Sequence, residues 1–231
     1  MTHIVHPYSH RLGIIRDWKS RWFGAKNEYK TFLKGDVIIR LFLEKRLRGS
    51  HVAGVEIERN AKTFRVIIKT ARPGMVIGRA GEGSVKLRAD IMKEAARKGV
   101  PLPKDFKLDI EEVRSPESNA AVVAEMVAEG LEKRMPFRMI LKQTIEKVMA
   151  NRDVKGARIA VSGRLGGAEM ARYEQIRRGG IPLQTFRADI DYAQNTARLP
   201  YGAIGIKVWI YKGQIFAENK KKSLAAQGAN A

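Results

Sequence analysis

Hydrophobic and polar positions along the chain follow two repeats, and the points where one gives way to the other mark the elements. After Gly35, Ile38, Leu41, Phe42 and Leu47 share one side of a helical repeat, with Asp36 placed to cap that helix and Gly49 to end it. The pattern then turns to alternation. Val55 and Ile57 alternate with Glu56 and Glu58, and Phe64, Val66 and Ile68 with Arg65, Ile67 and Lys69, predicting two strands joined by a turn near Asn60. A glycine-rich stretch, VIGRAGEGS over 76–84, leads into a helical repeat of Val85, Leu87, Ile91, Met92 and Ala95, with Ser84 as its expected N-cap and Gly99 and Pro101 as its end. KLDIEEV over 107–113 reads as a third strand.

Near 114 the texture changes. Ser115 and Pro116 suit a helix start, predicting a helix from Glu117 to about Arg134 that Gly130 weakens. Pro136 either kinks that helix or begins another reaching Ala150, with Phe137, Ile140, Leu141, Thr144 and Val148 as its buried stripe. Three alternating runs follow: ARIAVS, then TFRADIDY with Phe186, Ala188, Ile190 and Tyr192 on one face, then AIGIKVWIY with Ile204, Ile206, Val208 and Ile210 on one face. Helices followed by strands predict an α+β layer pair on a mostly antiparallel sheet. The expected organisation is an N-terminal basic arm over 1–34, a first α+β domain over 35–113, a second α+β domain over 114–214 in which two helices pack on the sheet, and a flexible basic tail over 215–231.

Charge narrows the function. The 231 residues carry 44 Lys and Arg against 24 Asp and Glu, a formal net charge of +20, and 44% hydrophobic residues suffice for ordinary cores. Self-repulsion on that scale points to a polyanionic partner, nucleic acid before a membrane surface, because the basic residues recur throughout instead of gathering on one amphipathic helix. Cysteine is absent, which removes disulfides, zinc knuckles and thiol nucleophiles. No apolar run is long enough to span a bilayer, and the first residues lack the pattern of a secretory or transit segment, so a cytoplasmic protein with no membrane role is expected.

The glycine-rich stretch has three readings. A nucleoside-triphosphate loop needs a lysine before its final Ser, and Gly83 stands there. A plain tight turn explains the glycines but not an arginine at the tip. A backbone clamp needs G-x-x-G with a basic residue inside, which Gly78, Arg79, Ala80 and Gly81 supply, the glycines letting a sugar-phosphate strand approach the main chain. The order helix, strand, strand, loop, helix, strand around it is that of a KH domain of the second type. A second G-x-x-G begins at Gly163, but AEMARYEQIRRGGIP after it reads as an extended basic loop in which Arg164, Arg172, Arg177 and Arg178 meet phosphates.

Here the chain resembles a known family. ARPGMVIGRAGEGSVKLR, SGRLGGAEMAR, IPLQTFRADIDY and YGAIGIKVWIYKG are similar, in this order, to segments of bacterial small-subunit ribosomal protein three, and the likeness runs from HRLGI to Gly213. The resemblance implies a structural protein without enzymatic activity, cofactor or metal. It would bind ribosomal RNA in the head of the small subunit, help line the channel where messenger RNA enters, and lie beside small-subunit proteins ten and fourteen. It adds Arg11 and Arg187 to the ribosomal RNA contacts. It also gives the messenger-facing role to Arg134, Arg138 and Lys142, which share a face if the helix continues through Pro136. Met139, Ala80, Gly180 and Ser9 depart from residues common in that family, the first three by removing a basic group.

Other chemistry competes. Asp189 and Asp191 alternate on one expected strand as a metal-dependent nuclease pair would, with Arg187 on the same face and no third ligand at a convincing spacing. His3, His6 and His10 are possible metal ligands, better read as touching RNA or solvent. Trp18 and Trp22 either staple the arm to a partner or pack on their own domain. A KH regulator acting outside the ribosome is the remaining alternative.

Overall fold

A computed structural model describes residues 5–60, 63–100, 102–103 and 105–216, without the side chains of residues 26 and 27. The chain divides into two compact units, one of residues 18–116 and one joining the first 17 residues to the chain from 117 onward. The stretch expected as a single arm is thus shared between them.

In the first unit, β1 (Ser20–Arg21) and α2 (Lys26–Arg46) precede β2 (Val52–Arg59), β3 (Phe64–Thr70), α3 (Pro73–Ile77), α4 (Glu82–Arg97) and β4 (Phe106–Glu112); α1 (Pro7–His10) belongs to the other unit. The sheet runs β1-β2-β3-β4 and is mixed: β1 is parallel to β2, β2 antiparallel to β3, and β3 parallel to β4 with Val66 opposite Leu108. The core joins Ile39, Leu43 and Leu47, on or just after α2, to Leu87 and Ile91 of α4 and to Ile57, Phe64, Val66, Ile68 and Phe106 of the strands.

Two boundaries differ from expectation. Helix α2 begins at Lys26, so Gly35 and Asp36 lie inside it. A glycine costs about 1 kcal/mol in a helix, but packing outweighs that here: a methyl group on Gly35 would sit 3.1 Å from Val100 Cγ1. Asp36 is buried and caps nothing. Its Oδ2 accepts from Trp22 Nε1 (2.7 Å) and its Oδ1 from Arg59 Nη2 (3.3 Å). The Arg59 guanidinium lies over Phe32 (4.2 Å) and Phe64 (4.4 Å), and burial lowers its pKa while Asp36 opposes the shift. Trp22 also contacts the rings of Tyr29 and Phe32, which is packing within its own unit. Helix α4 starts at Glu82 behind Gly81, and Ser84 Oγ donates to the Gly81 carbonyl instead of capping. Pro101, expected to close that helix, lies outside the described residues.

The second unit holds α1, α5 (Ala120–Glu132), α6 (Phe137–Ala150), β5 (Gly156–Gly163), β6 (Arg172–Gly179), β7 (Ala188–Leu199) and β8 (Gly202–Gln214). Its sheet runs β6-β5-β8-β7 and is antiparallel throughout. Asn119 caps α5 through an Oδ1 that accepts from Ala121 N (3.0 Å), beyond the Ser115 and Pro116 expected to start it. Val123, Val127 and Leu131 of α5 and Ile140, Leu141, Ile145 and Val148 of α6 cover Ile159, Val161, Ile204, Ile206, Val208 and Ile210. Gly130 has a packing reason: a methyl group there would sit 3.2 Å from Ile140 Cδ1, so its bareness lets α6 approach α5.

Pro136 starts a helix and does not kink one. Helix α5 stops at Glu132, Arg134 takes a left-handed φ of 60°, and α6 begins at Phe137. The stretch after the second glycine cluster is the edge strand β6, not a loop, with Ile176 opposite Ile159. Phe186 precedes β7 and stacks on His10 at 4.2 Å. The tail from residue 217 lies outside the described residues.

Candidate nucleic-acid interface

The expected clamp falls at the junction of α3 and α4. Pro73 opens α3 at a position where its missing N–H costs nothing, and Val76 anchors that helix in the core. The chain then turns through Gly78 (φ 71°), Arg79, Ala80 (φ 50°) and Gly81 (φ 81°). A left-handed residue other than glycine costs about 1–2 kcal/mol, and Ala80 holds that conformation at the tip of the turn. Gly83 matters as much as the motif glycines. A methyl group on it would lie 2.7 Å from the Val76 carbonyl oxygen and 2.8 Å from that of Ile77, so the first turn of α4 can abut α3 only without a side chain there.

A glycine turn feeding the amino end of a 16-residue helix is an arrangement that gathers backbone N–H groups around an anion. Arg79 is exposed and makes no ion pair among the described residues. Glu82 could oppose a phosphate, but its carboxylate holds Lys86 Nζ at 3.2 Å. Beside the turn, Met75 (62% exposed) and Val85 (68% exposed) offer apolar surface against which sugars and bases can rest.

Arg11 is a correction. Expected as an RNA contact, it has no exposed surface and serves as an internal brace. Its Nε donates to the Ala188 carbonyl (2.6 Å), Nη1 to that of Pro7 (3.0 Å), and Nη2 to those of Leu183 (2.9 Å) and Thr185 (3.0 Å). Burial lowers its pKa, with Asp189 acting in the opposite direction. One guanidinium therefore ties the arm to the sheet and to the loop before β7, giving donors to inward-facing backbone carbonyls, of which that of Thr185 also accepts from the Ala188 N–H.

The other basic residues are exposed, and four of them lie along the side of the second unit where α6 runs beside β6. Arg138 and Lys142 stand on successive turns of α6, while Arg172 and Arg178 lie on the helix side of the adjacent β6. Carboxylates temper this rim. Glu174 holds Arg138 (3.1 Å) and raises its pKa by hydrogen bonding, and Glu146 holds Arg178 (3.2 Å). Arg134 does not join them on one helical face, because the chain between α5 and α6 is not helical. Arg177 points to the opposite face of the sheet and donates Nε to the Gly179 carbonyl (3.2 Å). Arg164 braces its own loop through the carbonyls of Ala168 (2.8 Å) and Tyr201 (3.2 Å), and the Arg187 guanidinium lies 5.6 Å from the Phe216 ring centroid.

The nuclease pair does not form. A bulge between Asp189 and Ile190 breaks the alternation, and the two carboxylates take separate structural work. Asp189 pairs with Arg16 at 2.7 Å, and Asp191 accepts from the Ala120 N–H at the start of α5 (2.9 Å). Among the described residues no group of three or more His, Cys, Asp or Glu is placed to hold a metal ion. His6 meets Tyr192 edge-on at 4.6 Å and His10 stacks on Phe186, while His3 lies outside the described residues. Among the described residues no helix is long and apolar enough to cross a membrane.

Comparison with known proteins agrees with this architecture. A family model described as KH domain matches residues 38–118, and one described as Ribosomal protein S3, C-terminal domain matches residues 127–210. Proteins named Small ribosomal subunit protein uS3 are similar over nearly the whole chain. That of Endomicrobium trichonymphae is 46% identical, covering 96% of this chain and 92% of its own. That of Clostridium novyi is 44% identical, covering 95% and 96%, and that of Photobacterium profundum 47% identical, covering 91% and 89%. With a match to the KH model, a match to the S3 C-terminal domain after it and relatives alike over nearly the whole chain, the chain belongs to the ribosomal protein S3 family.

Proposed function

We propose that this chain is a structural constituent of the small ribosomal subunit, bound to ribosomal RNA in the head and lining the entry of the messenger RNA channel. The observation that carries the reading is the turn at 78–81, with its left-handed backbone, exposed Arg79 and helix start, set in a KH unit of a strongly basic chain. Gly78, Arg79, Ala80 and Gly81 hold an RNA backbone. Arg164, Arg172, Arg177, Arg178 and Arg187 add contacts to ribosomal RNA, from which buried Arg11 is withdrawn. Arg138 and Lys142 face messenger RNA, with Arg134 supplying charge from the linker. Small-subunit proteins ten and fourteen are its neighbours, and it works on ribosomes in the cytoplasm.

The clamp has a direct test. In the full chain Arg79 and Ala80 are both replaced by aspartate, a residue that tolerates the left-handed backbone Ala80 requires. The melting temperature stays unchanged while affinity for a ribosomal RNA fragment falls by about tenfold or more. Unaltered affinity in a folded variant removes the clamp.

A further inference from the structure

The side of the second sheet away from α5 and α6 is divided. At one end Ala188, Ile190 and Trp209 are buried with Ile181, Leu183 and Tyr192 packed on them. The other end is open. The register places Tyr173 opposite Ser162, Gln175 opposite Ala160, Arg177 opposite Arg158, and Lys207 between Ala160 and Gln194. Opposed residues share a face, so an aromatic, two amides and three cations stand together here. No position that this register assigns to the face from Arg158 to Ser162, or to its partners across β6, β8 and β7, is acidic.

The first unit's sheet shows what an ordinary charged face looks like in this chain. There Arg21 is held by Glu58 (3.1 Å), Lys69 by Glu56 (2.6 Å), and Arg65 by Asp109. On the second sheet Arg177 and Lys207 are exposed and have no carboxylate partner among the described residues. The aromatic is also set in place. Arg158 lies over the Trp209 ring at 4.7 Å and donates Nη2 to the Tyr173 hydroxyl (3.1 Å) and to Gln175 Oε1, while the Tyr173 hydroxyl donates to Gln175 Oε1 (2.9 Å). Tyr173 is held by its hydroxyl end and remains 55% exposed. Holding the ring beforehand lowers the entropy cost of stacking on it.

We propose that this open end is a second RNA site, selective for single strands, separate from the turn at 78–81. Tyr173 stacks on a base, Gln175 and Gln194 meet base edges, and Arg177 and Lys207 meet phosphates. A duplex hides the base faces that the ring needs, so single strands are preferred.

The inference rests on the chain binding RNA, and the test separates the two claims. The full chain carrying aspartates at 79 and 80 is titrated with a labelled oligouridine of about eight nucleotides, within the range one small sheet domain covers. This protein still binds. Adding Tyr173→Ala weakens binding by about tenfold or more, Tyr173→Phe weakens it clearly less because the ring remains while the hydroxyl that fixes it is lost, and Lys207→Glu weakens binding. A duplex of equal length is indifferent to Tyr173→Ala. The inference is overturned if the aspartate protein does not bind the oligouridine, if Tyr173→Ala and Lys207→Glu change nothing in proteins whose circular dichroism is intact, or if Tyr173→Phe harms as much as Tyr173→Ala. Failure of the unsubstituted chain to bind any RNA defeats the proposed function with it, whereas normal binding there with one of those three results defeats this inference alone.

Discussion

Replacing Arg11 by methionine is expected to destabilise the second unit by about 3–5 kcal/mol, among the largest effects a single substitution has in this chain. Methionine fills much of the same space without donors. The carbonyls of Pro7, Leu183 and Ala188 then lose the guanidinium that donates to them, while that of Thr185 keeps the Ala188 N–H (3.2 Å), and each unsatisfied buried acceptor costs about 1–3 kcal/mol before relaxation. Arg11→Lys keeps the charge but not the fork that reaches several carbonyls at once, so it recovers only a minority of the loss. Calorimetry of the whole chain checks this, with the transition of the second unit moving down by roughly 10 °C or more while that of the first holds its place. A side chain that acted as a surface RNA contact would leave both transitions alone and lower RNA affinity instead.

The second large effect is expected from Asp36→Asn. Were Asp36 a helix cap the change would be nearly silent, since asparagine caps as well as aspartate. Buried inside α2, the carboxylate is the counter-charge of Arg59, and its loss leaves a guanidinium between Phe32 and Phe64 with nothing to balance it. Removing one partner of a buried pair costs about 3–5 kcal/mol. The amide oxygen of the substituted side chain still accepts from Trp22, so the loss belongs to the charge pair. In a double-mutant cycle, Asp36→Asn combined with Arg59→Met costs clearly less than the sum of the single changes, because no isolated charge remains. Additive losses in urea unfolding would mean the pair is not coupled.

Both predictions fall where the sequence is hardest to read. An arginine in a basic arm looks like an RNA contact, and nothing local to Arg11 announces that carbonyls more than 170 residues away will enclose it. Asp36 after Gly35 imitates a cap, because the reason a helix passes through that glycine lies in Val100, far along the chain. Strand β6 is hard to see in the sequence for a related reason: an edge strand needs only one covered side, and Ile176 is the sole aliphatic group in a run otherwise rich in arginine. By contrast, the strand at 64–70 buries a whole alternate set and that at 202–214 buries Ile204, Ile206, Val208 and Ile210, so their pattern is unambiguous.

The candidate sites divide in the same way. Gly78, Arg79, Ala80 and Gly81 are legible because motif, helix start and element order coincide, whereas the contribution of Gly83 requires knowing that α4 meets the carbonyls at the end of α3. The regular spacing of Arg134, Arg138 and Lys142 gives one helical face only if the helix continues through Pro136, and the break before it leaves only the last two on that face. The rim that those two form with Arg172 and Arg178 depends on β6 pairing beside α6, which spacing along the chain does not encode.

The most direct measurement concerns assembly. A tagged full chain is expressed in a bacterium depleted of its own member of the family, and ribosomes are separated on a sucrose gradient after a moderate salt wash. The predicted result is that the tag travels with small subunits and whole ribosomes in amounts matching the other small-subunit proteins. A tag that stays at the top of the gradient with free proteins, under salt that leaves those other proteins bound, would contradict a structural role in the subunit.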